Sequence, residues 1–328
     1  MLVARLHGAG DLRVGDEAAP EPRPGESLVR VEAVGICGSD LHWYEEGGIG
    51  DSRLGAPLVV GHELAGVVED GPLKGRRVAV DPAVPCERCR ACRDGHPNLC
   101  PEVRFAGHGS CDGGLQQYLT WPAHRLHPLP DSLDGVAGAL LEPLGVAIHA
   151  VDLGHVGVGA RVAIVGCGPI GLLLQQVSRA AGACVALAVD PLEHRRAAAA
   201  RAGAEAAIAP GEMPSWEGEE VDVVFEAAGT DEAVDVALHA ARPGARVVLA
   251  GIPAGDRTSF SASVARRKGV TLVLVRRMGE VYPRALRLVQ SAAVDLEPLV
   301  THRYPLDRAP EAFAVAAARE GLKVVIEP

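Results

Sequence analysis

The stretch CERCRACRDGHPNLC sets Cys86, Cys89, Cys92 and Cys100 in a C-x2-C-x2-C-x7-C pattern. Thiolates spaced this closely let one loop wrap a tetrahedral zinc ion at about 2.3 Å per ligand. Four thiolates close the coordination sphere to water and substrate, so the expected role is a staple rather than a reaction centre. The usual iron–sulfur spacings differ. A second set of chemically able residues is dispersed. GICGSDLHW brings Cys37, Ser39 and His42, VVGHELAG brings His62 and Glu63, and LLEPLGVAIHA brings Glu142. Any one alone reads as a small core thiol or a satisfied core imidazole. Together, in small-residue turns at strand ends, they suit an open, mixed-ligand zinc site with a position left for a substrate oxygen.

A third motif binds rather than reacts. The apolar run RVAIV leads into Gly166-Cys167-Gly168-Pro169-Ile170-Gly171 and then an apolar helix. In such a fingerprint the first glycine makes the tight turn and the second admits a pyrophosphate to the backbone. The third lets helix and strand pack closely, and the helix start offers free N–H groups to phosphate. The next strand ends at Asp190, where a carboxylate takes the adenosine ribose hydroxyls and repels a 2′-phosphate. NAD is therefore expected rather than NADP, with Arg195 and Arg196 as the counter-evidence. FEAAGT and LAGI end two further strands, so Ala227, Gly229, Gly251 and Ile252 are expected to line the nicotinamide half; the plain alternative is ordinary turn glycine.

The elements that must hold these residues come in two textures. Residues 1–145 show short apolar runs broken by Gly, Pro and Asp, the mark of a β-rich unit. From about 155, apolar strands alternate with helices, which implies a parallel sheet in an α/β domain. At 328 residues two domains are expected. A net charge of -10 without basic clusters, and 3% aromatic residues, argue against a nucleic-acid partner. No run of 18 apolar residues suggests a membrane span and no leader is evident, so a cytoplasmic location is expected. Eight cysteines in a reducing compartment point to metal ligation or chemistry rather than disulfides.

GICGSDLHW, GHELAG, the four-cysteine lobe, LLEPLGVAIHA, GCGPIG and PLVTHRYPL, in that order, resemble the zinc-containing medium-chain dehydrogenase/reductase family, in its sorbitol (polyol) dehydrogenase-like branch. The resemblance runs essentially end to end, with a shortened segment around VVEDGPLKGRRVAV. It implies a doubly wound Rossmann sheet over 147–278 and a β-rich GroES-like catalytic domain over 1–146 and 279–328, with a structural zinc lobe near 84–102. It also implies that Cys37, His62 and Glu63 hold a catalytic zinc, and that Glu142 ligates it or holds its water. Ser39 and His42 would relay the alcohol proton, and Arg277 would lie near cofactor and substrate. Trp43 stands where those enzymes usually carry a tyrosine.

The activity so implied is zinc- and NAD-dependent, reversible oxidation of a secondary hydroxyl of a sorbitol- or xylitol-like polyol to a ketone. The rivals are an L-idonate-type sugar-acid dehydrogenase, an L-threonine or simple secondary alcohol dehydrogenase, and a non-catalytic NAD-binding relative. The expected partner is a small-molecule alcohol, with no nucleic acid and no membrane. The resemblance also implies a homo-oligomer, a tetramer or dimer.

Overall fold

The run ESLVRVEAVG alternates as a half-buried strand should, and the computed structural model, which describes residues 1–328 apart from Asp256, makes it the strand Glu26–Gly35. Ser27, Val29, Val31 and Ala33 are buried while Arg30 and Glu32 stay partly exposed. Around it runs a seven-stranded sheet in the order 126–128, 77–80, 63–70, 26–35, 323–327 and 300–305, with Tyr118–Pro122 also pairing to Glu26–Gly35. The chain divides into one unit of Met1–Glu142 with Leu296–Pro328 and a second of Pro143–Asp295.

The return to the first unit thus comes at Leu296, later than the expected 279. The reason lies in the helix Tyr282–Gln290, which buries Tyr282 and Ala285 and pairs Arg284 with Asp152 at 2.9 Å, all inside the second unit. The last strand, Lys323–Glu327, lies antiparallel to Glu26–Gly35 and parallel to Val300–Pro305. The cysteine lobe is a short excursion of the first unit, with a helical turn Arg90–Arg93 and the strand pair Ala83–Val84 and Arg104–Phe105.

In the second unit six parallel strands lie in the order 207–208, 184–189, 161–165, 221–226, 241–249 and 271–274. Strand order reverses between Arg161–Val165 and Val221–Glu226, the place where doubly wound sheets open a crevice for a dinucleotide. Val162 to Val165 are all buried, as strands covered on both faces require. The helical stretch Gly135–Gly154, which begins in the first unit and ends in the second, has the length and apolar character of a membrane span, yet 72% of its 18-residue apolar window is buried.

The glycine-rich turn is packed to its limit. A Cβ on Gly171 would lie 1.9 Å from the carbonyl oxygen of Gly166, so the helix rests on the turn through hydrogen alone. Gly171→Ala is expected to cost about 1–3 kcal/mol or more, because two backbone segments must separate; a lower urea midpoint reads it.

Candidate active site

The first-unit centre begins where the strand Glu26–Gly35 ends. The chain turns at Cys37, which starts the helix Gly38–Glu46, and that helix carries Ser39, Asp40 and His42 on one piece of backbone. His62 comes two residues beyond Val60, and Glu63 after it opens the neighbouring strand Glu63–Asp70. Ligand atoms of Cys37, His62 and Glu63 all lie within 4.8 Å of one another. A soft thiolate, an imidazole and a carboxylate at that separation suit one zinc ion, and the set leaves a coordination position to spare.

Asp40, which the motif reading passed over, organises this centre. It is 1% exposed. Its Oδ2 accepts the Cys37 backbone N–H at 3.0 Å, its Oδ1 accepts the Gly61 N–H at 3.2 Å, and Oδ1 also lies 3.3 Å from His62 Nδ1. That contact leaves His62 Nε2 as the ligating atom, the outer carboxylate holding the ring and its tautomer. Burial alone would pull the imidazole down, but Asp40 and Cys37 hold it well above the ordinary histidine range. Ser39 Oγ lies 3.5 Å from His62 Nε2, and the Phe105 ring packs 5.4 Å from the imidazole. The one sequence signal for Asp40 was its place three residues after the turn that starts the helix.

Glu63 has a partner that no local pattern announces. Lys323 Nζ donates to both of its carboxylate oxygens at 2.7 Å and to the Ile36 carbonyl at 3.0 Å. Both side chains are buried, at 3% and 0% exposure. Sheet register produces the meeting, since Gly35 lies opposite both Glu63 and Val325. A Cβ on Gly35 would stand 2.1 Å from Glu63 Oε2, so the glycine opens the gap through which the carboxylate reaches the lysine. Glu142 is also buried, and burial together with the charge of Glu63 pushes its carboxyl up to about 7, against the pull of His62 and Lys323.

His42 faces elsewhere: its Nδ1 meets Glu46 Oε1 at 2.8 Å, one helical turn on. Trp43 is 2% exposed and stands edge-on to His108, so the residue at the family's tyrosine position is part of the core. Tyr44 packs against Phe313 with ring centroids 5.3 Å apart.

The cysteine lobe converges as its spacing requires. The four sulfurs lie within 4.8 Å of one another and none is in a disulfide; in a tetrahedral zinc–thiolate centre sulfurs stand roughly 3.8 Å apart. Backbone N–H groups aim at them: Cys86 N to Cys100 Sγ at 3.3 Å and Cys89 N to Cys86 Sγ at 3.3 Å. The N–H of Arg88, then that of Cys89, bring the Cys86 thiol down to about 7. Burial, then the neighbouring Cys89 and Cys100 thiols, push Cys92 up to about 12, so a bound cation is what would hold all four as thiolates.

In the second unit the strand Arg161–Val165 enters Gly166 at φ 93, and Gly168 precedes the helix Pro169–Ala180 with Pro169 and Ile170 in its first turn. Asp190 is 3% exposed; its Oδ2 accepts the Cys167 N–H at 2.8 Å and its Oδ1 the Leu192 N–H at 2.9 Å. It therefore shapes the glycine-rich turn itself. Arg196 is committed to the carbonyls of Asp190 and Pro191 at 2.9 and 2.7 Å, whereas the Arg195 guanidinium lies 3.4 Å from where a Cβ on Gly168 would be. Ala227 and Gly229 follow one strand, Gly251 and Ile252 the next, and a Cβ on Gly229 would meet the Ile252 carbonyl at 2.3 Å. Arg277 is half-buried with φ 54.

A glycine-fingered parallel sheet together with a thiolate–imidazole–carboxylate centre and a four-thiolate lobe defines a zinc-dependent alcohol or polyol dehydrogenase. Two family models match the chain: the alcohol dehydrogenase GroES-like domain over residues 23–131 and zinc-binding dehydrogenase over 169–291. It is 36% identical to sorbitol dehydrogenase of Macaca fascicularis, covering 98% of this chain and 94% of that protein. Among solved structures it is similar to a Sinorhizobium meliloti protein bound to NADP, at 32% identity and a TM-score of 0.90, covering 100% of this chain and 99% of that one. It is also similar to L-idonate 5-dehydrogenase of Escherichia coli, at 28% identity and a TM-score of 0.91, covering 100% and 98%. The chain belongs to the zinc-containing medium-chain dehydrogenase/reductase family, in its sorbitol dehydrogenase-like branch.

Two outcomes test these centres. Elemental analysis should find close to two zinc ions per chain, and Cys92→Ser should remove one and lower the melting temperature without a selective loss of kcat. In chelator-treated protein, Lys323→Met should cost about 3–5 kcal/mol by urea unfolding, since it strands a buried carboxylate. Adding Glu63→Gln should recover most of that loss.

Proposed function

We propose that the protein oxidises a secondary hydroxyl of a polyol to a ketone with NAD, and reduces the ketone in reverse. The observation that carries this reading is the convergence of Cys37, His62 and Glu63 within 4.8 Å, oriented by the buried Asp40. An alcohol is far too weak an acid to release its proton near neutral pH, and zinc held by these residues supplies the electrophilic polarisation that acidifies it. A dinucleotide held at Gly166–Gly171 and Asp190 would supply the hydride acceptor.

The chain's own residues do the rest. Ser39, beside His62 Nε2, is placed to take the hydroxyl proton, and His42, its Nδ1 turned to Glu46, keeps Nε2 to pass that proton outward. Lys323 draws charge from Glu63 and tempers it as a donor, while Glu142 offers a nearby carboxyl to zinc or to its water.

NAD is favoured because Asp190 stands at the end of the second strand and Arg196 is spent on carbonyls, which leaves Arg195 over the phosphate turn. The sorbitol dehydrogenase relative favours a polyol. A sugar acid is the second reading, favoured by the L-idonate 5-dehydrogenase likeness and by Arg277, since a guanidinium pairs well with a carboxylate. Each buried substrate hydroxyl left unpaired would cost about 1–3 kcal/mol, so turnover itself discriminates. The homo-oligomer implied by the family belongs to the same proposal.

An absorbance screen at 340 nm across polyols, sugar acids, threonine and simple alcohols, run with NAD and with NADP, should give the highest kcat/KM for a polyol with NAD. Cys37→Ala should lower kcat at least about 10³-fold while NADH still binds by fluorescence. Retained turnover would overturn the assignment.

A further inference from the structure

A buried carboxylate in the second unit has no part in the glycine fingerprint. Glu226 ends the strand Val221–Glu226 and is 1% exposed. Its Oε1 accepts the backbone N–H groups of Ala228 at 2.7 Å and Gly229 at 2.6 Å. Its own carbonyl accepts the N–H groups of Ala250 at 2.7 Å and Gly251 at 3.0 Å, and a Cβ on Gly251 would lie 2.7 Å from its Oε2. One residue thus grips the turns that follow two adjacent strands.

A carboxylate costs free energy when buried, and burial raises its pKa here against the pull of those N–H groups. An alanine-rich turn could satisfy its own amides with water, so holding them on a buried anion serves orientation. Because the peptides are trans, N–H groups of residues 228 and 229 aimed at Glu226 send the carbonyls of Ala227 and Ala228 the other way. The peptide between Ala227 and Ala228 packs on the first glycine of the phosphate turn, its nitrogen, carbon and oxygen lying 2.8, 2.9 and 3.1 Å from where a Cβ on Gly166 would stand. Ala227 N in turn donates to Val165 O at 2.8 Å, in the strand that leads to Gly166. Gly166, Gly229 and Gly251 each lack room for a Cβ, and the carboxylate lies among them.

We infer that Glu226 is a positioning residue for the nicotinamide half of the dinucleotide: its carboxylate sets the peptide planes of the turn at 227–229, while its backbone carbonyl holds the facing turn at 250–252. The inference rests on the proposed reading that these turns receive that half. The side chain reaches the cofactor only through the backbone it orients, and of the residues expected to hold the adenosine half, Gly168–Gly171 and Asp190 lie outside that backbone while Gly166 alone packs against it.

The test compares NADH with ADP-ribose, which lacks the nicotinamide, by fluorescence binding and competition in the zinc-loaded enzyme. Wild type should bind NADH several-fold tighter than ADP-ribose. In Glu226→Met, similar in length but without an acceptor, that advantage should shrink to within about twofold of unity, with kcat falling too and ADP-ribose affinity staying within about threefold. Glu226→Gln, which keeps one oxygen for the two N–H groups, should restore most of the advantage. If Glu226→Met does not fold, Glu226→Asp, which withdraws the carboxylate by one methylene, should show the same selective loss. An unchanged advantage in Glu226→Met or Glu226→Asp, or a parallel loss of both ligands in a folded variant, would overturn the inference and leave the proposed function intact. A wild-type enzyme with no advantage for NADH would instead remove the reading beneath it.

Discussion

The first unit is organised around a charge pair that its own core should exclude. Glu63 and Lys323 are both buried, and neither is tolerable alone. Each therefore makes the other necessary, and together they dictate what surrounds them. Gly35 must lack a side chain so that the carboxylate can cross, and the Ile36 carbonyl must turn inward to take a further lysine proton. The last strand, Lys323–Glu327, must also pair with Glu26–Gly35 in one register. A slip of one residue would turn the ammonium to the other face of the sheet. The pair thus couples the C-terminal strand to the cluster of Cys37, His62 and Glu63.

The same pair sets the electrical balance of the metal centre. A thiolate and a carboxylate acting as ligands would by themselves neutralise a divalent cation. Lys323 gives back one positive charge beside Glu63, and Asp40 adds a negative one behind His62. The ligands are thus tuned from outside in opposite senses: the imidazole is made a better donor and the carboxylate a weaker one. Glu142 is buried nearby and adds a further carboxyl to the neighbourhood of the centre.

The second unit solves a different problem, that of bringing backbone close to a flat, polar ligand. Its means are glycines without room for a methyl group and buried carboxylates that hold amide groups. Asp190 fastens the Cys167 N–H of the phosphate turn, and Glu226 fastens those of Ala228 and Gly229. Asp190 stood out as a candidate cofactor residue by its place at a strand end, but its buried hold on the turn was not legible. Glu226 carried no signal, because an acid ending an apolar strand reads as a boundary.

What could be read along the chain was whatever lies close in sequence. The C-x2-C-x2-C-x7-C lobe, the Gly166–Gly171 turn between strand and helix, and the thiol, imidazole and carboxylates of the dispersed site are local patterns whose residue types restrict their own chemistry. The alternation of strand and helix marked the parallel sheet for the same reason. Three things needed the folded chain: Lys323 beneath Glu63, Asp40 behind His62, and the helix Tyr282–Gln290 kept in the second unit by Asp152. The first depends on register between strands far apart in the chain, the second on a turn bringing Gly61 and His62 up to the first helix, the third on packing that no window of sequence contains. Local spacing determines which atoms can bind a metal or a phosphate; long-range pairing decides which charges stand behind them.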